Sequence, residues 1–164
     1  MRKSTGLLIT VVTAVSLGAI SLMAPVASAE DMSAQATYRD IDETLGMVPS
    51  FFKLFPEVGI AGAWAEFKSV QLNPNTELDG KTKELIGLAL ASQIPCQYCV
   101  YFHTAAAKAN GASEEEIREA VAMAAIVRHW STVLNGMQVD LDGFKRETDA
   151  VLRLAGEKAK SAQK

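Results

Sequence analysis

Helical spacing of apolar residues, interrupted by proline and glycine, is the feature that most limits the fold of this 164-residue chain. From residue 40 onwards, no stretch of useful length alternates apolar and polar residues as a strand does. The interruptions fall at 47–49, 73–75, 94–95, Gly111 and Gly136. We therefore predict an all-α protein with a single domain of five to six helices.

Local start and stop signals place the ends of these helices. Asp79 is a suitable N-cap, and Ser113 with Glu116 has the spacing of a capping box. Pro56 and Pro95 suit the first position of a helix, where proline costs no backbone hydrogen bond. The predicted helices cover 40–45, 56–72, 80–93, 95–110, 114–135 and 142 onwards, with an aromatic turn at 50–55.

The first residues have the pattern of an export signal. Arg2 and Lys3 precede the uncharged run 7–23, and Ala27-Ser28-Ala29 has the small residues of a cleavage site. We expect a cleaved signal peptide at 1–29 and a mature protein exported to the periplasm. An uncleaved membrane anchor is the alternative, because the 17 residues of the run are just enough to span a bilayer.

The remainder of the chain is expected to have three parts. Residues 30–38 are small and polar and indicate a flexible lead-in, 39–156 would form the helical domain, and 157–164 a polar tail. No segment after residue 29 approaches transmembrane length, so we expect no membrane association once the signal is removed.

The charge balance excludes one class of partner. The chain has 16 Lys and Arg against 19 Asp and Glu, and removal of 1–29 leaves 14 against 19, a net charge of −5. This acidic body argues against a nucleic-acid partner, because phosphate recognition needs clustered basic side chains. Since 49% of the residues are hydrophobic, we expect some apolar surface to be buried in a homo-oligomer.

Both cysteines of the chain lie three residues apart, at Cys96 and Cys99, and His103 follows four residues later. On one helix the three positions fall within an arc of roughly 60°. Cα atoms at this spacing are within disulfide range, so the pair can cycle between dithiol and disulfide. The helix N-terminus would favour the Cys96 thiolate, and His103 is placed to exchange a proton with Cys99.

Three other interpretations of the cysteine pair are open. A structural zinc site needs four ligands, and Cys96, Cys99 and His103 would require His129 or Glu84 as the fourth. A structural disulfide across three residues would close a very short loop and gain little chain entropy. Alternatively, both cysteines are buried core residues, which are common on apolar helices.

Glu84 adds a fourth position, eleven residues before the Cys96–Cys99 pair and its following His103. The spacing E-x11-C-x2-C-x3-H resembles the signature of the alkylhydroperoxidase D-like proteins, which belong to the carboxymuconolactone decarboxylase superfamily. The decarboxylase branch lacks the cysteine pair and is the weaker analogy. The resemblance covers about residues 40–135 and includes the sequences at 83–88 and 98–103.

The resemblance implies an all-helical fold in which Glu84, on the preceding helix, faces the cysteine pair. It also implies a reduction of hydroperoxides in which Glu84 and His103 relay protons to the sulfurs. Cys99 would attack the peroxide, and Cys96 would be the more accessible, resolving cysteine. The helix N-terminus nevertheless favours the Cys96 thiolate, so the two roles stay open.

Two further residues are candidate accessory groups. Tyr98 stands between the cysteines where well-known hydroperoxidase members carry a histidine, and a phenol is a poorer proton shuttle near neutrality than an imidazole. His129, on the predicted fifth helix, is a second candidate, although next to Trp130 it is more simply read as a core or interface histidine.

The sequence therefore predicts an exported thiol-dependent peroxidase that reduces hydroperoxides through the Cys96–Cys99 pair. We expect no cofactor and no metal, and an external dithiol would have to reset the pair. The alternatives are a periplasmic thiol–disulfide oxidoreductase and a metal-binding or assembly module without enzymatic activity.

Overall fold

The computed structural model describes residues 33–162, and this part of the chain contains six α-helices and no strand. The prediction of an all-α fold of five to six helices is confirmed. The helices are α1 (Ala34–Leu45), α2 (Glu57–Glu66), α3 (Gly80–Gln93), α4 (Gln97–Ala109), α5 (Glu114–Gly136) and α6 (Leu141–Ala162). The expected signal peptide at 1–29 lies outside the described residues.

The starts of α3 and α5 follow the capping signals in the sequence. The Asp79 side chain accepts a hydrogen bond from the backbone N–H of Thr82, at 2.7 Å. At α5 the capping box is complete: Ser113 Oγ accepts from the Glu116 N–H, and Glu116 Oε2 accepts from the Ser113 N–H. These two predictions are confirmed, because both caps depend on residues within one turn.

The first and last helices are longer than predicted. The first helix begins at Ala34 and not at Asp40, because the Ser33 hydroxyl caps it by accepting from the Ala36 N–H. Residues 34–38, expected to be part of a flexible lead-in, are therefore helical. At the other end α6 continues to Ala162, so residues 157–162 of the expected polar tail are also helical.

The described residues group into two compact units, 33–62 and 63–162. In the first unit the buried residues of α1 are Ala34, Thr37 and Ile41, at the spacing of one helix face. A short 3₁₀-helix, Ser50–Leu54, occupies the place of the predicted aromatic turn.

The second unit is built around α3. Helices α4 and α5 both pack against it. The buried apolar residues of these three helices are small or aliphatic, namely Leu88, Ala91, Ala107 and Ala124. Before α3, the chain continues from α2 into one π-helical turn, Phe67–Gln71, in which the Leu72 N–H donates to the Phe67 carbonyl. The sequence predicted a single helix over 56–72, whereas α2 ends at Glu66 and the π-helical turn follows it.

The start of α4 also differs from the prediction. Pro95 was expected to open this helix, with Cys96 inside its first turn. In the structure α4 begins at Gln97, and Cys96 is its N-cap. The Cys96 carbonyl accepts the Val100 N–H at 2.9 Å, so the cysteine is attached to the first turn without being helical itself.

Helices α5 and α6 leave much apolar surface exposed. None of the residues of α6 is buried, and Val151, Leu152 and Leu154 are all solvent-exposed. On α5 the exposed apolar residues include Val127 and Trp130. The predicted homo-oligomer would cover such surface and stays a prediction. Of the helices within 33–162, none combines the length and the apolar character that a bilayer crossing requires.

Candidate redox site

The centre of the candidate site is a disulfide between Cys96 and Cys99. The Cα atoms of the two cysteines are 5.3 Å apart, within the range that the spacing predicted. As the N-cap of α4, Cys96 also presents its Sγ to the Cys99 backbone N–H at 3.2 Å. In the reduced protein the same N–H group and the positive end of the helix dipole would favour a thiolate at Cys96.

A carboxylate–imidazole pair lies one helical turn beyond the disulfide. His103 is four residues after Cys99 on α4, and its Nδ1 is 2.7 Å from Glu84 Oε2 on α3. An ionised carboxylate only accepts hydrogen bonds, so Nδ1 carries the proton when Glu84 is charged. Nε2 of His103 is then the ring nitrogen with a free lone pair, as a proton acceptor for a thiol requires.

Glu84 is buried although it is an acidic residue. Only 4% of its surface is exposed, and it shares one face of α3 with the buried Leu88 and Ala91. A buried carboxylate is costly unless its oxygens have hydrogen-bonding partners. The second carboxylate oxygen has such a partner: the Gln71 amide nitrogen donates to Glu84 Oε1 at 3.1 Å.

Gly87 provides the space for the His103 ring. It lies three residues after Glu84 on α3, and a Cβ atom built there would collide with Cε1, Nδ1 and Cγ of His103. A helix interior normally disfavours glycine, which costs about 1 kcal/mol relative to alanine. Here the missing side chain lets the imidazole approach the α3 backbone.

A row of aromatic rings begins beside the imidazole. The Phe102 ring is edge-on to His103, with 5.2 Å between ring centroids. Phe67 follows at 6.4 Å from Phe102, and Trp64 at 5.8 Å from Phe67. Trp64, at the far end of this row of rings, is buried.

Of the two bonded cysteines, Cys96 is the one that lines a groove beside α4. Cys96 lines an open groove of about 680 Å³. At 3.6 residues per turn, the backbone positions of Cys99 and His103 lie roughly opposite those of the α4 groove residues, although the Cys99 sulfur is bonded to that of Cys96. The groove is lined, among others, by Ser92, Pro95, Gln97, Val100, Tyr101 and Thr104.

The structure therefore joins the four predicted site residues in two contacts. Glu84 contacts His103, Cys96 is bonded to Cys99, and the helix connects the pairs through the Cys99–His103 spacing. The roles of these residues in catalysis stay predictions.

Neither accessory candidate is enclosed in the site. The Tyr98 side chain is solvent-exposed on α4. His129 is exposed on α5, with its ring edge-on to Trp130 at a centroid distance of 5.3 Å. For the zinc interpretation, residues 33–162 contain no group of three or more His, Cys, Asp and Glu side chains arranged to hold a metal ion.

The carboxymuconolactone decarboxylase family matches residues 59–141, just over half of the chain. The chain belongs to this family. The matched range contains Glu84, Cys96, Cys99 and His103, the four residues of the signature.

A solved member of the same fold gives a closer comparison. The chain is similar to the alkylhydroperoxidase AhpD core from Rhodospirillum rubrum, with 28% identity and a TM-score of 0.59. The similarity covers 67% of this chain and 83% of that one. The predicted alkylhydroperoxidase D-like fold within the carboxymuconolactone decarboxylase superfamily is therefore confirmed.

A curated relative extends the comparison over a short segment. Over 51 residues the chain is 41% identical to "uncharacterized protein 4 in cox locus" from Paracoccus denitrificans. The matched segment is 31% of this chain and 46% of that protein, so the chain spans less than half the length of this relative.

Two residues of the site were missed by the sequence analysis. Gln71 has no local signal, because its partner Glu84 is 13 residues away and on another element. Gly87 had a weak signal, since it interrupts a helical pattern on the same face as Glu84. A glycine one turn from a candidate acid would have indicated a close approach by another side chain.

Proposed function

We propose that this protein is an exported thiol-dependent peroxidase that reduces hydroperoxides with the Cys96–Cys99 pair. The observation that carries the proposal is the Glu84–His103 contact, placed one helical turn from a cysteine that is already paired in a disulfide. A thiolate and not a thiol is the nucleophile, so a base held beside a redox-active thiol is what the chemistry needs.

In the first step His103 Nε2 removes the proton of the Cys99 thiol. The thiolate attacks the terminal oxygen of the hydroperoxide, a sulfur–oxygen bond forms and the O–O bond breaks. The leaving alkoxide takes the proton from the His103 imidazolium and departs as an alcohol. Cys99 is now a sulfenic acid, which has been oxidised by two electrons while the peroxide has been reduced. Glu84 stabilises the imidazolium between these two proton transfers.

In the second step the Cys96 thiolate attacks the Cys99 sulfenic sulfur. The S–S bond forms, and the hydroxide that leaves is protonated to water. The position of Cys96 at the N-cap of α4 supports this role, since it favours a thiolate there without a further base. The product is the disulfide that the structure contains.

An external dithiol must then reduce the disulfide. It would attack Cys96, release Cys99 as a thiolate and leave as its own disulfide through a mixed intermediate. The open groove beside Cys96 supports this direction of access, because an attacking thiol needs room at the sulfur. Export, through the signal predicted at 1–29, and a homo-oligomeric state are further parts of the proposal.

The test follows the loss of thiols and the sulfenic acid that forms on Cys99. Reduced protein should lose two thiols for each hydrogen peroxide consumed, and dithiothreitol should restore them. The Cys96→Ser variant should react with one peroxide per chain and stop at a sulfenic acid that a dimedone probe traps. If the Cys99→Ser variant consumed peroxide as fast as the parent protein, the mechanism would be wrong.

A second candidate function is thiol–disulfide exchange with other proteins or small disulfides. The exposed position of Tyr98 and Tyr101 on α4 favours it, because the surface around Cys96 is open to larger partners. Measurement of the reduction potential separates the two. A strongly oxidising value, about −120 mV, would favour disulfide exchange, and a more reducing value with rapid peroxide turnover would favour the peroxidase.

A further inference from the structure

Gln71 is the last residue of the single π-helical turn, Phe67–Gln71, that follows α2. It is partly buried, and its side-chain amide reaches Glu84 on α3. Single π-helical turns are rare and are frequently found at functional sites. Gln71, at the end of this turn, is thus a candidate for a role in the site.

The chemistry of the Gln71–Glu84 contact fixes which group donates the hydrogen bond. Glu84 as a carboxylate has acceptors but no donors, so the amide nitrogen of Gln71 is the group that faces it. The 3.1 Å bond goes to Oε1, while Oε2 faces His103 at 2.7 Å. Each carboxylate oxygen thus has its own partner.

A second bond fastens the same segment to α3. Lys83, the neighbour of Glu84, extends its Nζ to the Asn73 carbonyl at 2.8 Å. The chain at 71–73 is therefore tied to two consecutive residues of α3, once through an amide and once through an ammonium group. This double attachment holds Gln71 in the position from which it reaches the carboxylate.

We propose that Gln71 is a positioning residue, which holds the buried Glu84 carboxylate turned toward His103 Nδ1. It touches neither the sulfurs nor a substrate and acts only through Glu84. The amide is suited to this task, because it donates a hydrogen bond to the charged carboxylate without adding a charge that would compete with the imidazole. The inference rests on the proposed role of Glu84 and His103 in activating Cys99.

The experiment is a double-mutant cycle in the Cys96→Ser background, where Cys99 is the only thiol. The variants are Gln71→Met, Glu84→Gln and the combination of both. The readout is the rate of alkylation of Cys99 by iodoacetamide at pH 7, which reports thiolate formation and needs no peroxide. Gln35→Met, at an exposed position on α1, is the matched control for the same substitution.

We expect Gln71→Met to slow alkylation about tenfold and Glu84→Gln to slow it at least as much. The double variant should be no slower than Glu84→Gln alone, because Gln71 then has no charged carboxylate to hold. Gln35→Met should react like the parent protein. Multiplicative effects of the two substitutions, or a parent-like rate for Gln71→Met, would overturn the inference.

Circular dichroism distinguishes a folding defect from a loss of thiolate formation. If Gln71→Met does not give the helical circular dichroism of the parent, Gln71→Asn takes its place in the cycle, since its shorter side chain keeps the amide but cannot reach Oε1. If the parent failed to consume peroxide while the cycle showed full coupling, the peroxidase proposal would fall and the role of Gln71 would stand. If the parent consumed peroxide but Gln71 and Glu84 showed no coupling in the cycle, the role of Gln71 would fall and the peroxidase proposal would stand.

Discussion

The imidazole of His103 on α4 occupies the space that a Cβ atom on Gly87 of α3 would need. Glycine at this position lets the ring lie against the α3 backbone, three residues from the carboxylate that it contacts. The close approach of the His103 ring to α3 thus depends on a residue that has no side chain.

Gly87→Ala should displace the imidazole and slow the activation of Cys99. The new methyl group would collide with three ring atoms, so His103 must turn away from Glu84 or the helices must separate. A shift of about 1 Å in a positioned group can cost on the order of 100-fold in rate. The measurement is iodoacetamide alkylation of Cys99 in the Cys96→Ser background.

Gly156→Ala is the matched control for this prediction. Gly156 lies in α6, where a Cβ atom would meet nothing within 4 Å. The substitution should leave the alkylation rate unchanged and raise stability by up to about 1 kcal/mol, since alanine is the better helix former. An unchanged rate in Gly87→Ala would show that the ring tolerates displacement.

The sequence predicted α3 and α5 well because their signals are local. Asp79 and the pair Ser113 and Glu116 bond to backbone groups within one turn, so their pattern can be read without the fold. The start of α1 at Ala34 was missed because the segment has few apolar residues, and its cap Ser33 is one of several small polar residues there.

The predicted site was incomplete for a different reason. Glu84, Cys96, Cys99 and His103 formed a recognisable spacing, but Gln71 joins them only through a tertiary contact with another segment. The displacement of the α4 start from Pro95 to Gln97 has a similar cause, because the disulfide and the Cys96 cap determine where the helix begins. The preference of proline for the first position of a helix does not by itself predict this start.

Gln97→Trp should slow the reduction of the disulfide without slowing its formation. Gln97 is exposed next to Cys96 and lines the groove, so a large ring there would obstruct an incoming thiol. We expect reduction by dithiothreitol to slow about tenfold, because exchange rates depend on access to the attacked sulfur. Oxidation of the dithiol by hydrogen peroxide should change less than about twofold.

Gln35→Trp, at an exposed position of α1, controls for the addition of the ring. It should leave both rates unchanged. Equal slowing of oxidation and reduction in Gln97→Trp would contradict the prediction, because peroxide would then also need the groove.

Ser113→Ala should destabilise the protein by about 1 kcal/mol, the usual effect of removing an N-cap hydroxyl. The Ser113 Oγ accepts the Glu116 N–H at 3.1 Å, and alanine leaves this donor without its partner. Urea unfolding followed by circular dichroism at 222 nm measures the change. Ser113→Thr keeps a capping hydroxyl and should stay close to the parent, whereas equal losses in both variants would assign the effect to something other than the cap.

Glu116→Gln should destabilise the protein near neutrality but not in acid. The hydrogen bond with Lys81 and then the Ser113 backbone N–H hold the pKa of the Glu116 carboxyl below its ordinary value of 4.5. Since the pKa is lower in the folded than in the unfolded protein, the stabilisation is complete above about pH 4.5 and is lost as the pH falls through the lowered value. The difference in melting temperature between parent and variant should therefore be present at pH 7 and close toward pH 3. Glu147→Gln on α6 makes the same change in net charge, and a difference that persisted unchanged in acid would show that Glu116 acts through packing and not through its charge.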